Sequence, residues 1–204
     1  MPNARLDGHH LFDRTFAAFH IPAFKWLWAG NTMSFMSRVV YMMAEGWLVL
    51  IITNSPFWVG AMAGVRGATI ILFSPIAGVI VDRFDRRKLL IGTQLIMTAV
   101  AIALAYLTFS GLIELWHIAS LTLLQGMAHT INMPARLTLT MDITGRKTLL
   151  NAIAASQMGN GIVQIIAPSV AGFIISEANL GSVYIMVSVA AILAILAWLR
   201  MGSP

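Results

Sequence analysis

The chain has 204 residues, of which 58% are apolar and 10% are charged, and its formal net charge is +5. A soluble domain carries about 25% charged residues, so this composition excludes an ordinary soluble fold and indicates an all-α membrane protein. Cysteine is absent, which excludes a disulfide framework and a zinc site with Cys ligands. The positive charge does not indicate a nucleic-acid partner, because the basic residues lie in separate short loops rather than on one face.

Six apolar segments are each long enough to cross the hydrocarbon core as a helix, which takes about 20 residues. Turn-forming sequences such as Met133-Pro134 and Gly145-Arg146-Lys147 separate them. We therefore predict a six-helix transmembrane bundle over residues 24–200, with tails at 1–23 and 201–204. The predicted spans are 24–52, 57–81, 89–109, 116–133, 149–176 and 182–199.

Lysine and arginine near the ends of the spans lie in alternate connecting segments. Eleven of them precede the first span or follow the second, fourth and sixth: Arg5, Arg14, Lys25, Arg83, Arg86, Arg87, Lys88, Arg136, Arg146, Lys147 and Arg200. The connections at 53–56, 110–115 and 177–181 hold none. Because basic residues accumulate in cytoplasmic loops, both termini are predicted to be cytoplasmic.

Three predicted spans carry a stripe of polar residues along one helical face, at 100° per residue. The first holds Asn31, Ser34, Arg38 and Glu45; the fourth holds Gln125, His129 and Asn132; the fifth holds Ser156, Gln157, Asn160 and Gln164. Two interpretations stay open: the side chains only form hydrogen bonds between helices, or they line a common polar cavity. Three stripes in one small bundle favour the cavity, which would be the pathway of a substrate or an ion.

The second span carries a face of small residues, which are Gly60, Gly64, Gly67, Ser74 and Gly78. Small residues let helix backbones approach closely, so this face is predicted to belong to an interface. The third and sixth spans are apolar nearly all round, which suits contact with lipid.

Three ionisable residues lie inside the predicted spans: Arg38, Glu45 and Arg66. Each would cost about 2.5–3.5 kcal/mol at the bilayer centre, so each needs a partner. Glu45 and Arg66 lie at similar depth on antiparallel neighbours, which predicts an ion pair. Arg38 has no acid at its depth, so it is predicted to hold an anionic substrate group or to alternate with Glu45 in proton coupling. The alternative is an arginine satisfied by helix carbonyls or by Gln125 and Asn160.

No arrangement of residues indicates catalysis. The sequence has no nucleophile elbow, no phosphate-binding glycine loop and no carboxylate pair at helical spacing. His117 and His129 would lie about 18 Å apart along a helix, too far to share a metal ion, and His9-His10 lies in a polar tail. We therefore predict neither an enzyme, nor a cofactor, nor a metal site.

The segment Asp82–Lys88, between the second and third spans, packs six charges into seven residues. With Gly78 it reads G-x-x-x-D-R-x-x-R-R-K, which resembles the signature loop of the major facilitator superfamily of transporters. Its D-R-F-D-R-R form is similar to the bacterial efflux branch of siderophore and macrolide exporters. Asn132–Arg136 resembles the N-x-P-A-R that closes the family's fourth helix. Gln125-Gly126 resembles the end of the R-x-x-Q-G motif, whose arginine is replaced here by Thr122.

The resemblance implies the N-terminal six-helix half of a secondary active transporter in a bacterial inner membrane. It implies small-molecule efflux by proton-coupled antiport, with the substrate unknown. Besides the lipid bilayer, the implied partner is a missing C-terminal half or a second copy of the chain. The alternative is a membrane protein that does not transport by itself: a truncated remnant, or an assembly or binding partner.

The resemblance also assigns a role to the charged loop. Gly78, Asp82, Arg83, Arg86 and Arg87 would form the loop that controls the change of conformation, and Asp82 would pair with a basic residue of the other half. The basic residues from Arg86 to Lys88 would either bind anionic lipid headgroups or serve only to orient the chain.

Overall fold

The computed structural model describes residues 17–177 and 179–201; the His9-His10 pair, most of the predicted N-terminal tail and residues 202–204 lie outside this part. Every regular element within it is helical. A short 3-10 helix, Ala17–His20, is followed by α1 (Pro22–Thr53), α2 (Pro56–Arg83), α3 (Arg86–Ser110), α4 (Leu115–Glu177) and α5 (Leu180–Arg200).

Local sequence explains where the first three helices begin and where α1 ends. Pro22 and Pro56 lie in the first turns of α1 and α2, where a proline has no intrahelical N–H bond to lose. Asn54 ends α1 in the left-handed region at φ 47°, a conformation that asparagine tolerates better than most residues. Asp85 caps α3, because its side chain accepts a hydrogen bond of 2.8 Å from the Lys88 backbone N–H.

The predicted break at Met133-Pro134 is wrong. α4 continues through Pro134, and its interruption lies at Gly145, where φ is 69° and ψ is 165°. Proline is tolerated inside membrane helices because neighbouring groups and local adjustments satisfy the freed carbonyl. A positive φ costs glycine little, so the chain bends at the glycine instead. Gly145 divides α4 into a first arm, 115–144, and a second arm, 146–177.

The two arms of α4 run in opposite directions along α1. Four contacts with α1 give the directions: Thr122 with Glu45 and Arg136 with Ser34 on the first arm, Ala155 with Trp28 and Gly172 with Met43 on the second. Residue numbers along the first arm therefore rise as those of α1 fall, whereas along the second arm they rise together. The chain thus reverses its direction at Gly145.

Within the described ranges, five helices are long and apolar enough to cross a membrane. α4 counts among them as one element of 63 residues, so the six spans and the cytoplasmic position of both termini stay predictions. Apart from the break at Gly145, the observed helix ends lie within three residues of the predicted ends.

Burial differs strongly between α5 and α2. Twelve of the 21 residues of α5 are buried, including Tyr184 and Trp198, and this helix packs against α1 and α3. Only four of the 28 residues of α2 are buried. The bundle is therefore closed on the side of α3 and α5 and open on the side of α2. The lipid contact expected of the third and sixth spans, which correspond to α3 and α5, stays a prediction.

Candidate functional site

A cavity of about 980 Å³ opens between α1, α2 and both arms of α4. Nine residues from the predicted polar stripes and the small-residue face line it together: Asn31, Arg38, Ser74, Gly78, His129, Ser156, Gln157, Asn160 and Gln164. Within the described ranges, α3 and α5 contribute nothing to its lining. The volume suits a drug-sized ligand, for which cavities measure about 300–1,000 Å³. That these residues form the pathway of a substrate or an ion stays a prediction.

Arg38 extends from α1 into this cavity, with its Cζ 4.8 Å from the centre of the Phe35 ring. A guanidinium above an aromatic face makes a cation–π contact, which leaves its N–H groups available to other partners. No carboxylate of the described chain forms a salt bridge with Arg38. The side-chain partners considered from the sequence, Gln125 and Asn160, make no hydrogen bond with it in this part of the chain.

Arg136 lies in the wall of the same cavity, although sequence reasoning placed it in a loop after the fourth span. Because the helix continues past Pro134, Arg136 stands one turn after Asn132 on the same helical face. Its Nη2 donates to Asn132 Oδ1 at 2.7 Å and to Ser34 Oγ at 3.3 Å. The spacing of four residues between Asn132 and Arg136 is the signal in the sequence that would have found this contact.

Asn132 does not line the cavity. It is fully buried, and its Nδ2 donates to Thr93 Oγ1 of α3 at 2.8 Å. Ser34 Oγ donates in turn to Gln94 Oε1 of α3 at 2.8 Å. The first hydrogen bond joins the first arm of α4 to α3, and the second joins α1 to α3. Both involve a residue that also binds Arg136. The interhelical interpretation of the polar stripes therefore describes Asn132, whereas the cavity contains most of the other stripe residues.

Glu45 and Arg66 form a salt bridge, which confirms the pair predicted from their depths. Glu45 is only 1% exposed, and it also accepts a hydrogen bond from Thr122 Oγ1. Thr122 is the residue in the place of the R-x-x-Q-G arginine. The cation beside Glu45 is therefore supplied by α2 and not by the first arm of α4.

A second cavity, of about 150 Å³, lies between this salt bridge and the main cavity. Arg38 and His129 line both cavities, and Arg66 and Gln125 line the smaller one. Gln125 Oε1 is buried without a hydrogen-bond partner among the described residues. A series of polar side chains thus leads from Glu45 toward the main cavity. Nothing in the described ranges groups three or more potential metal ligands.

The second arm of α4 presents its amides to the main cavity. Asn160 Nδ2 donates to Gln157 Oε1 at 3.0 Å, and Gln157 and Gln164 are both exposed. A Cβ added at Gly161, or at Gly78 on α2, would meet nothing within 4 Å. The cavity is therefore open between α2 and the second arm, and the exposed amides are accessible to a ligand.

Two arginines of the charged loop bind other parts of the bundle. Arg86 Nη1 forms a salt bridge of 3.1 Å with Asp142 Oδ2 on the first arm of α4. Arg87 donates through Nε to Trp198 O at 3.1 Å and through Nη2 to Leu199 O at 2.9 Å. Carbonyl groups in the last turn of a helix have no intrahelical partner and carry partial negative charge. Arg87 therefore caps α5 and ties it to the start of α3.

The first half of the loop has a different environment. Asp82 and Arg83, at the end of α2, are exposed. Neither takes part in a salt bridge with another described residue. The predicted partner of Asp82 outside this sequence, and the predicted lipid contacts of the residues from Arg86 to Lys88, stay predictions.

A bundle of apolar helices that contains buried charges and a polar cavity is typical of membrane proteins that move polar solutes or ions. The fold and the site thus define an integral membrane protein of the transporter type. Residues 13–203 match the family model MFS_3, described as "transmembrane secretion effector". The chain therefore belongs to this family of the major facilitator superfamily, which confirms the resemblance of the charged loop.

Curated relatives come from the efflux branch that the loop resembles. The chain is 27% identical over 169 residues to macrolide efflux protein A of Streptococcus pyogenes, which covers 82% of this chain and 42% of that protein. It is 22% identical over 175 residues to the staphyloferrin A transporter of Staphylococcus aureus, which covers 84% and 44%. The chain thus spans about two-fifths of the length of these relatives. No solved structure matches it with significance.

Proposed function

We propose that this chain is the N-terminal part of a proton-coupled antiporter that exports a small molecule across a bacterial inner membrane. Family membership and the efflux and transporter relatives support membrane transport. The observation that carries the proposal is a polar cavity next to a buried salt bridge inside apolar helices. In this proposal both termini are cytoplasmic, and a C-terminal half or a second copy completes the pathway.

Glu45 is the proposed proton site. In its charged form it neutralises Arg66 and accepts the hydrogen bond from Thr122. Protonation would leave Arg66 without a counter-ion in a medium of low dielectric constant, where an unpaired charge costs several kcal/mol. The smaller cavity connects Arg66 to Arg38 and His129, which also line the main cavity. Proton binding at Glu45 would therefore change the charge balance beside the substrate, as antiport requires.

The open side of α2 is the proposed contact with the rest of the transporter. A Cβ at Gly60, Gly64 or Gly67 would meet nothing within 4 Å, so these positions leave room for a closely packed helix. Asp82 lies in the last turn of the same helix and is exposed. A partner on this side would cover the small residues and supply the basic group that Asp82 is expected to bind.

Efflux from bacteria that lack their own exporters tests the proposal. The chain is produced alone and together with the C-terminal half of the Streptococcus pyogenes relative, and the accumulation of a labelled macrolide, of staphyloferrin A and of a panel of dyes is measured. The pair of halves is expected to lower accumulation of at least one compound severalfold. The double variant Glu45→Gln/Arg66→Gln, which leaves no unpaired charge, should abolish the dependence of this efflux on the proton gradient.

The matched control is Arg146→Gln/Glu177→Gln, which removes one charge of each sign from exposed positions outside the cavity. It should export like the unmodified chain. Efflux by the Glu45/Arg66 double variant that still follows the proton gradient would contradict a role of Glu45 in coupling. Correct insertion without efflux of any compound would favour the alternative, a membrane protein that does not transport.

A further inference from the structure

The main cavity has an excess of positive charge. Arg38 and Arg136 line it and supply two positive charges, and His129 lies among the lining residues. Among the described residues that line it, none is Asp or Glu. Glu45 is the carboxylate buried in the bundle beside the smaller cavity, and it is already paired with Arg66. Both cavity arginines therefore lack a carboxylate partner within the described part of the chain.

The two guanidinium groups lie near the same turn of α1. Arg38 Cζ is 4.8 Å from the centre of the Phe35 ring, and Arg136 Nη2 is 3.3 Å from Ser34 Oγ. Ser34 and Phe35 are consecutive residues, so the two charges approach α1 at one level. A single ligand in the cavity is therefore able to reach both.

Hydrogen bonds to the walls of the bundle fix the position of the Arg136 side chain. Its Nη2 binds Asn132 and Ser34, which are themselves bound to Thr93 and Gln94 of α3. Its Nε is buried and has no hydrogen-bond partner among the described residues, so the guanidinium is incompletely satisfied. A preorganised guanidinium matches the geometry of a carboxylate or phosphate, because its N–H groups form a planar fork.

We propose that Arg38 and Arg136 together bind the acidic group of an organic anion, while the exposed amides of Gln157 and Gln164 contact the rest of the molecule. This inference rests on the proposed function, since it names the class of substrate for the same cavity. An anion compensates two charges that otherwise stay unpaired in a medium of low dielectric constant. A cation without an acidic group would meet charges of its own sign and be disfavoured.

Binding to the whole chain in nanodiscs of zwitterionic lipid tests this assignment. The probes are carboxyfluorescein, an anion, and rhodamine 123, a cation with a similar ring system; each is followed by fluorescence anisotropy. Carboxyfluorescein is expected to bind at least tenfold more tightly, and citrate should displace it. Arg38→Gln and Arg136→Gln should each weaken its binding by about tenfold, because each removes a charge-assisted contact. Arg38→Lys, which keeps the charge, should retain part of the affinity.

Arg146→Gln is the matched control, because it removes the same charge from an exposed position outside the cavity. It should leave the affinity for carboxyfluorescein unchanged. If Arg136→Gln fails to fold, Arg38→Gln decides alone, since the Arg38 side chain has only the Phe35 contact among the described interactions. Equal affinity for both probes, or an equal loss in Arg146→Gln and Arg38→Gln, would overturn the assignment.

Two further results separate the sources of the anion and the two proposals. Nanodiscs that contain phosphatidylglycerol weaken carboxyfluorescein binding through Arg38 if a lipid headgroup occupies the site, and leave it unchanged if the site takes only soluble anions. Anion binding that depends on Arg38 in a chain that never exports would refute the proposed function alone. Export of cations, with no anion binding, would refute the anion site alone.

Discussion

The two sides of the bundle are held together by different means. On the side of α3 and α5, aromatic rings cover glycines: the buried Trp198 indole lies where a Cβ of Gly30 would project, and the Phe109 ring lies 2.9 Å from that position at Gly181. Close approach of this kind leaves no free volume and fixes how the helices sit against one another. The closed side is therefore specified by shape.

The side of α2 has little such packing. Four glycines of this helix face open space, and they are Gly60, Gly64, Gly67 and Gly78. Thr69 packs against Gly126, and Arg66 forms the salt bridge with Glu45. α2 thus packs on α4 and is joined to α1 by a buried charge pair, while most of its remaining surface is not covered by described residues. The comparison teaches that close packing is concentrated on one side of this small bundle, and that the opposite side is the one left free for the partner proposed above.

Breaking the charge pair is expected to have the largest effect. Glu45→Gln or Arg66→Gln alone leaves a charge without its partner in the membrane interior, which costs about 3–5 kcal/mol. The double variant should be destabilised by clearly less than the sum of the two single variants, because neither charge is left. Thermal unfolding in detergent, arranged as a double-mutant cycle, measures this coupling. Additive losses would mean that Glu45 and Arg66 do not stabilise each other.

On the closed side, Gly30→Ala should destabilise the bundle by about 1–3 kcal/mol, because the new methyl group overlaps a buried indole. Gly181→Ala is the internal control. Its methyl group meets Phe109, which is 51% exposed and has room to move, so the loss should be smaller. Both are measured by the same unfolding assay. An equal, negligible effect at the two positions would contradict specification by shape.

On the open side, Gly64→Ala should have the smallest effect and the opposite sign. A methyl group there meets nothing within 4 Å, and replacing an interior helical glycine by alanine stabilises a helix by about 1 kcal/mol. Gly64→Leu should likewise leave the chain's own stability intact but reduce co-purification with a C-terminal half. Unchanged co-purification would contradict the proposed contact at this face.

Much of this structure was predictable because hydropathy and depth are one-dimensional properties. The helix ends follow from the apolar runs, and Glu45 and Arg66 were paired simply by counting residues from their common turn. Helical periodicity likewise brought Arg38 and Asn160 toward the same cavity. Span length, depth and helical periodicity can be read from the sequence because they do not depend on how the helices pack.

The misses depend on tertiary contacts. In the sequence Pro134 predicts a helix end, which places Arg136 outside the cavity, but neighbouring helices allow a proline inside a membrane helix. The contacts of Arg86 with Asp142 and of Arg87 with the end of α5 are not predicted from the sequence, and the lipid contacts of these arginines stay predictions. No local pattern shows which distant carbonyl or carboxylate will lie beside a loop arginine.

The position of the charge pair also bears on how the protein enters its membrane. Only Asn54 and Ser55 separate α1 from α2, so Glu45 and Arg66 lie on the two helices of one helical hairpin. Inserted singly, each helix would carry a penalty of about 2.5–3.5 kcal/mol for its charge. If the two helices enter the lipid together as a hairpin, Glu45 and Arg66 can form their ion pair first, and neither charge faces lipid alone. On this energetic ground the pair favours insertion of α1 and α2 together, as one hairpin, over insertion of each helix by itself.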